Sequence, residues 1–314
     1  VKICSTGDWH LRFATPESRI DDFLLTQFGK VKEIFKIALD NGCDVLTIPG
    51  DMWDNPKPSP IILSKYLSLF MEMSQKIKVF IVLGQHDMVM RSFQAVNRTP
   101  TYLFQCAEVL QIIGLNMKPV VIDKVAFHGL SWGQEYKPEP VKGCLNVLIA
   151  HAPVGLDENF EGYKSTLPKS FLSEHSGMDY INVGDYHSPF TDKSKDRIIF
   201  NGGCIVRKTK SIKDLELKPE IGIYDTKTKE LKKVFLSILP VDVVYNSESL
   251  IKKAENPKLI EMIDALGNQK GVSASFEENL NRYIEANKPI PKVVKYLTDK
   301  LGEIHGFEST KKRK

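Results

Sequence analysis

Within its first ninety residues the chain alternates strand-like apolar runs with helix-periodic stripes, strand first. Residues 1–5, 45–48 and 79–83 are short apolar runs, the last two ending on Pro49-Gly50 and Gly84. Between them, residues 28–39 carry Val31, Ile34, Phe35 and Ala38 at helical spacing and stop at Asn41-Gly42, and residues 61–73 repeat the pattern. This alternation predicts an α/β fold, because parallel neighbours need a crossover and a helix is the compact way to make one. After residue 109 the apolar runs shorten and cluster at 109–113, 120–122, 125–128, 145–150, 180–183, 198–200, 221–224 and 232–237. They predict a second, more antiparallel sheet, with loops at 137–143 and 189–196. Past Pro240 the pattern turns helical, over 247–266 with a break at Pro257, over 275–286, and from Ile290-Pro291 onward. The expected organisation is a domain over 1–240 and a helical appendage over 241–314 that ends in a basic tail.

Composition narrows the function classes. Of 314 residues, 42% are hydrophobic and 26% charged, with no apolar run near the ~18 residues a bilayer span requires. These proportions exclude a disordered chain and a helical membrane protein. Cys4, Cys43, Cys106, Cys144 and Cys204 stand singly without a C-x-x-C pair, the pattern of reduced thiols in a cytoplasmic protein. The chain opens directly on a strand-like run, so no targeting leader is read at its start. Its net charge of +4 comes entirely from the basic residues 311–314, which leaves the body neutral. Any affinity for nucleic acid must therefore come from a local patch or from bound metal.

Several apolar runs end in polar clusters, where open α/β sheets place their sites. These are Gly7-Asp8-Trp9-His10, Gly50-Asp51-Met52-Trp53-Asp54, Gly84-Gln85-His86-Asp87, the single His151, and Gly184-Asp185-Tyr186-His187. Five strand ends could bring Asp8, His10, Asp51, Gln85, His86, His151, Asp185 and His187 to one rim. Carboxylate and imidazole without thiolate suit Mn²⁺, Fe²⁺ or Zn²⁺. Two such ions about 3.5–4 Å apart can clamp the attacking and leaving oxygens of a phosphoester, and Asp51 is the natural bridge between them. The glycines are expected to let the backbone turn sharply at each cluster.

In this order and spacing, D-x-H, G-D-x-x-D, G-Q-H-D, the isolated His151 and G-D-Y-H resemble the calcineurin-like metallophosphoesterases over roughly residues 1–235. Leu11 and the Gly203-Cys204-x-x-Arg207 segment resemble the SbcD-type DNA repair nucleases of bacteria and phages. The resemblance implies a two-sheet sandwich flanked by helices. It implies one divalent ion on Asp8, His10, Asp51 and His187, and a second on Asp51, Gln85, His151 and Asp185, most naturally Mn²⁺, with Mg²⁺ as the alternative. His86 would protonate the leaving group or grip the phosphate, with Asp87 orienting it. The family usually has Asn at Gln85 and His at Asp185. Both departures fall on the second ion and either retune its site towards Mn²⁺ or Mg²⁺, the favoured reading because both residues can still ligate, or leave it half-occupied.

Other features take plainer readings. Trp9, Trp53 and Trp132 are read as packing residues, His128 as a satisfied structural histidine, His175 and His305 as surface residues, and Asp54 as a hydrogen-bond partner near the site. Arg207, Lys208 and Lys210 form a basic run that is either a solvated face or a contact to phosphate. The resemblance further implies DNA as substrate, an SbcC-like coiled-coil ATPase docking on the C-terminal helices, and homodimerisation of the kind common in the family. The chain has no G-x-x-x-x-G-K-[ST] motif of its own. A stand-alone phosphoesterase and a catalytically weak scaffold for the ATPase are the alternatives.

Overall fold

A computed structural model of the chain describes residues 1–157, 159–160, 163–209 and 212–245. The opening alternation forms as its periodicity predicts. Strands β1 (Lys2–Ser5), β2 (Val45–Ile48), β3 (Lys78–Ile81) and β4 (Gln111–Ile112) run parallel, linked by helices α1 (Phe23–Asp40), α2 (Pro60–Met73) and α3 (Pro100–Cys106). Helix α1 starts earlier than its apolar stripe suggests because Asp22 accepts the Leu25 N–H and caps it. Helix α2 opens on Pro60, whose missing N–H has no helical partner to lose.

The second sheet comprises β5 (Val120–Ile122), β6 (Val125–Leu130), β7 (Leu145–His151), β10 (Tyr180–Gly184), β11 (Phe190–Ser194) and β12 (Arg197–Asn201). Two two-residue strands, β8 (Asn159–Phe160) and β9 (Tyr163–Lys164), and helix α4 (Pro168–Glu174) lie between β7 and β10 in sequence. Its order is β11-β12-β10-β7-β6-β5, with the three central pairings parallel and only the two edges antiparallel. The expected antiparallel character is thus confined to the edges. The polar stretch read as a loop at 189–196 contains the edge strand β11, whose Asp192, Lys193 and Ser194 are polar because only one side of an edge strand is paired.

After the short helix α5 (Ile212–Glu216), β13 (Glu220–Asp225) and β14 (Glu230–Phe235) return to the first sheet instead of extending the second. β13 pairs antiparallel with β1, Ile3 opposite Tyr224, and completes the order β14-β13-β1-β2-β3-β4. Helix α6 (Val241–Val244) follows, and the Val244 carbonyl accepts the Ile20 N–H at 3.0 Å. The helices expected beyond residue 246 lie outside the described residues.

Alternation along each strand sorts side chains between three apolar layers. Cys4, Leu46 and Ile81 face α1, α2 and α3, while Leu148, Ile181 and Ile199 pack with Phe171 and Leu172 of α4. Ile3, Val45 and Phe80 of the first sheet meet Phe127, Val147 and Phe200 of the second. The two-sheet sandwich flanked by helices is therefore the fold. Phe80 meets Phe127 with ring centroids 5.1 Å apart, and Tyr180 stacks on Tyr224 at 4.1 Å. Pairs of this kind add about 0.5–1.5 kcal/mol beyond their buried area. Towards the strands' carboxyl ends the layer becomes polar. There Thr47 Oγ1 donates to Asn182 Oδ1 at 2.8 Å, and Asn182 Nδ2 donates to the Thr6 carbonyl at 2.9 Å, tying the two sheets together. Trp9 and Trp53 are fully buried, each donating from Nε1 to a threonine hydroxyl, in line with a packing role. His128 is buried against Asn146, and His175, expected at the surface, is also buried, its ring against Phe171 at the end of α4. Among the described residues no helix is long and apolar enough to cross a membrane.

Candidate metal centre and active site

Strands β1, β2, β3, β7 and β10 all end at one rim, and the residues that follow them meet there. The glycines act mainly through space. A Cβ on Gly84 would lie 2.1 Å from Asp51 Oδ1, and one on Gly184 would lie 2.4 Å from Asp8 Oδ1, so the carboxylates occupy room that only glycine leaves. Only Gly50, at φ 102°, also supplies the expected turn freedom. The left-handed backbone otherwise falls on the site residues themselves: His10 at φ 46°, Asp51 at 48° and Asp185 at 93°. Such conformations cost about 1–3 kcal/mol each and persist where neighbours over-determine them. Here the Asp51 carbonyl accepts the Trp9 and His10 N–H groups at 3.1 and 2.8 Å, and the Asp8 carboxylate accepts the Asp185 N–H at 3.1 Å.

Asp51 is fully buried at the centre of the cluster. Its Oδ1 accepts the His86 N–H at 2.9 Å, while Oδ2 has no hydrogen-bond partner and faces His10 Nε2 at 3.8 Å and His151 Nε2 at 3.5 Å. His10 Nε2 approaches His187 Nε2 to 3.2 Å, and His187 Nε2 lies 3.8 Å from Asp8 Oδ2. On the other side His151 Nδ1 donates to the Pro49 carbonyl at 2.7 Å, which turns Nε2 towards Asp51 and, at 3.6 Å, towards Asp185 Oδ1. Gln85 Nε2 donates to the same Asp185 oxygen at 2.8 Å, leaving Gln85 Oε1 without a partner. The two residues that depart from the family pattern thus bind each other.

The electrostatics match a cluster built around positive charge. Burial holds the Asp8 carboxyl well above its usual range, and His151 opposes this only partly. Burial disfavours the charged His151 ring, yet attraction from Asp51, Asp185 and Asp8 outweighs it and raises His151 well above normal. Burial and the nearby Lys208 charge hold His10 well below its usual value and push His187 down to about 4, leaving both imidazoles neutral and able to ligate. The fit to divalent metal follows from the donors. Asp51 Oδ2, His151 Nε2 and Gln85 Oε1 are buried polar atoms without partners, which costs about 1–3 kcal/mol each if nothing binds them. Asp51 Oδ2 lies 3.8 Å from His10 Nε2 and 3.5 Å from His151 Nε2, and His151 Nε2 lies 3.6 Å from Asp185 Oδ1, near the ~3.3–3.6 Å edges that metal–ligand bonds of about 2.0–2.2 Å set in a tetrahedral site. Asp8, His10, Asp51 and His187 can hold one ion, and Asp51, Gln85, His151 and Asp185 a second.

Residues 1–245 match the family of calcineurin-like phosphoesterases. The chain belongs to that family. Calcineurin-like phosphoesterases are metal-dependent hydrolases that act with divalent ions, and the donor cluster lies inside the matched region. Similar solved structures include a hypothetical protein from Pyrococcus horikoshii, 11% identical, with a TM-score of 0.40 over 82% of this chain and 94% of that one. Another is a Staphylococcus aureus protein provisionally assigned as a 5'-nucleotidase and solved with alpha-ketoglutarate, 12% identical, with a TM-score of 0.42 over 81% of this chain and 58% of that one. No curated protein matches the chain.

Two expectations for this phosphoesterase need correction. Asp87 does not orient His86: its two oxygens accept the Trp53 and Gly84 N–H groups at 3.0 and 2.9 Å, and burial with the nearby Asp51 charge pushes its carboxyl up to about 7. The Asp54 carbonyl takes the orienting position, 2.9 Å from His86 Nδ1, leaving the ring exposed above His10 with centroids 5.0 Å apart. Arg207 is buried, and its guanidinium donates to the Leu217 and Leu239 carbonyls instead of facing the rim. Of the remaining basic run, Lys208 lies close enough to act on His10 and His187, and Lys210 is outside the described residues. One neighbour was missed. Cys204 bridges Asp8 and brings its thiol within 4.8 Å of the His10 and His187 nitrogens. Its place three residues past β12, directly after Gly202-Gly203, is the signal the sequence offers.

Proposed function

We propose that this calcineurin-like phosphoesterase hydrolyses DNA phosphodiesters as the nuclease subunit of a complex with an SbcC-like coiled-coil ATPase. The observation that carries the hydrolytic part is the unpartnered Asp51 Oδ2, set between His10 and His151 and flanked by donors from five strand ends. DNA as substrate and the ATPase as partner rest on the SbcD-like order and spacing of the motifs, including the Gly203-Cys204-x-x-Arg207 segment.

Two divalent ions, Mn²⁺ or Mg²⁺, supply Lewis acidity and neutralise the phosphate charge when bound. The protein's own groups do the rest. Asp51, fixed by the His86 N–H and by its backbone contacts to Trp9 and His10, holds the two halves of the donor set in register. His86 Nδ1 donates to the Asp54 carbonyl, which fixes the ring, and in the imidazolium form Nε2 carries the second proton, which it would pass to the leaving oxygen, returning the ring to neutral. Lys208 places a positive charge beside His10 and His187, where the substrate phosphate would approach.

The test is hydrolysis of single- and double-stranded DNA with Mn²⁺, with and without the ATPase, beside nitrophenyl phosphate esters. DNA cleavage abolished by a chelator and restored by Mn²⁺ supports the reading. Turnover of the small monoester with DNA left intact would instead identify a stand-alone phosphatase. Protein that binds two Mn²⁺ ions yet hydrolyses nothing would act as a scaffold.

A further inference from the structure

We propose that Cys204, with His10 and His187, forms a thiophilic metal site that takes Zn²⁺ in preference to Mn²⁺ at the first-ion position. The inference rests on the reading of His10 and His187 as ligands and adds a sulfur donor that their carboxylate neighbours do not supply.

A buried cysteine is by default a small apolar residue. Here the backbone fixes it against two ligand-bearing loops. The Cys204 N–H donates to the His187 carbonyl at 3.0 Å, the following Ile205 N–H donates to the Asp8 carbonyl at 3.0 Å, and the Asp8 N–H donates to the Gly203 carbonyl at 2.9 Å. Cys204 is 2% exposed, and its sulfur and one nitrogen from each of His10 and His187 all lie within 4.8 Å of one another. The edge between the two imidazoles is already 3.2 Å, close to the ~3.4 Å edge of a tetrahedral zinc site, and the sulfur, within 4.8 Å of both rings' nitrogens, completes the set by a small approach. His10 Nδ1 is also buried without a partner, leaving that ring no competing bond at its second nitrogen.

The chemistry separates the two halves of the centre. Two imidazoles and a thiolate form a borderline-soft set that Zn²⁺ favours, whereas Mn²⁺ and Mg²⁺ prefer the oxygens of Asp51, Asp185 and Gln85 around His151. Binding breaks the S–H bond, passes the proton to buffer and forms one metal–sulfur bond.

Cobalt(II) serves as the optical probe for zinc. The full chain titrated with Co²⁺ should develop a near-ultraviolet sulfur-to-metal charge-transfer band, displaced by Zn²⁺, and Cys204→Ser should lose it. In that variant Zn²⁺ affinity, measured by calorimetry, should fall by at least about tenfold while Mn²⁺ affinity stays within about twofold. Cys204→Ala is the second variant, and a thermal melt of each shows that it is folded. A band absent from the native protein, or surviving both substitutions on another cysteine, overturns the proposal. If two Mn²⁺ ions still bind in that case, the two-ion reading stands and only the sulfur assignment fails. Protein that binds neither Mn²⁺ nor Co²⁺ overturns both.

Discussion

One substitution made at two glycines should have opposite consequences. At Gly84 a Cβ would sit 2.1 Å from Asp51 Oδ1 and 2.6 Å from the Asp51 backbone nitrogen. Rotating the aspartate side chain relieves only the first clash, so Gly84→Ala must move the Asp51 backbone by roughly 1 Å, and overpacking of this kind costs about 1–3 kcal/mol. That shift also carries Oδ1 away from the His86 N–H, now 2.9 Å distant, and displaces the oxygen facing His10 and His151. For a domain of this size the melting temperature should drop by about 2–12 °C. At Gly29, within α1, nothing lies within 4 Å of the added carbon, and alanine there should gain about 0.5–1 kcal/mol by its better helix propensity. Gly29→Ala should therefore raise the melting temperature by about 1–4 °C. Thermal unfolding with chelator present isolates the fold, and Mn²⁺ calorimetry reads the site. A Gly84→Ala protein that melts and binds Mn²⁺ like the native one would refute the argument that its empty Cβ position is what lets Asp51 sit at the centre.

Asp51→Ala removes the oxygen common to both halves of the donor set and should abolish binding of the second Mn²⁺, with retention of two ions by elemental analysis counting against the shared role. His86→Ala should leave Mn²⁺ stoichiometry intact while lowering turnover by about 10²–10⁴-fold, and an unchanged single-turnover rate would remove the proton-delivery role. Burial alone would raise the Asp21 carboxyl, but hydrogen bonds from Arg19 and Thr26 more than offset it and hold the group below its usual value. A depressed carboxyl stabilises the fold fully above the unfolded value of about 3.9 and ceases to do so as pH falls through its folded value. Asp21→Asn should accordingly be less stable than the native chain at pH 7, with the gap closing below about pH 4 in denaturant titrations. A gap independent of pH would exclude the charge as its source.

The parts of this protein legible in the sequence are those written in short segments. Glycine-acid clusters after apolar runs locate Asp8, Asp51, Gln85 and Asp185 at strand ends, because strand, turn and cluster are consecutive. Which sheet a strand joins is not local, so residues 221–224 and 232–237 read as further strands of the second sheet although β13 pairs with β1. Neighbouring residues also point apart in a turn. His86 and Asp87 are adjacent in sequence, yet one ring faces the open rim and the other carboxylate ties Trp53 to Gly84. The bond between Gln85 and Asp185 spans 100 residues and leaves no local trace. The left-handed His10, Asp51 and Asp185 are equally silent, since their side chains are chosen for chemistry and their backbone is held by neighbours.

The donor set is divided between the sheets, Asp8, His10, Asp51 and Gln85 following strands of one and His151, Asp185 and His187 following strands of the other. The aromatic and aliphatic layer between them therefore works as a gauge block. Phe80 against Phe127 and Tyr180 against Tyr224 fix the distance across which the two groups of ligands must agree. Close-packed interiors transmit such dimensions instead of absorbing them. A residue in that layer sets the bite of the centre without touching it, and the ions in turn would act as a clasp across the open edge of the sandwich.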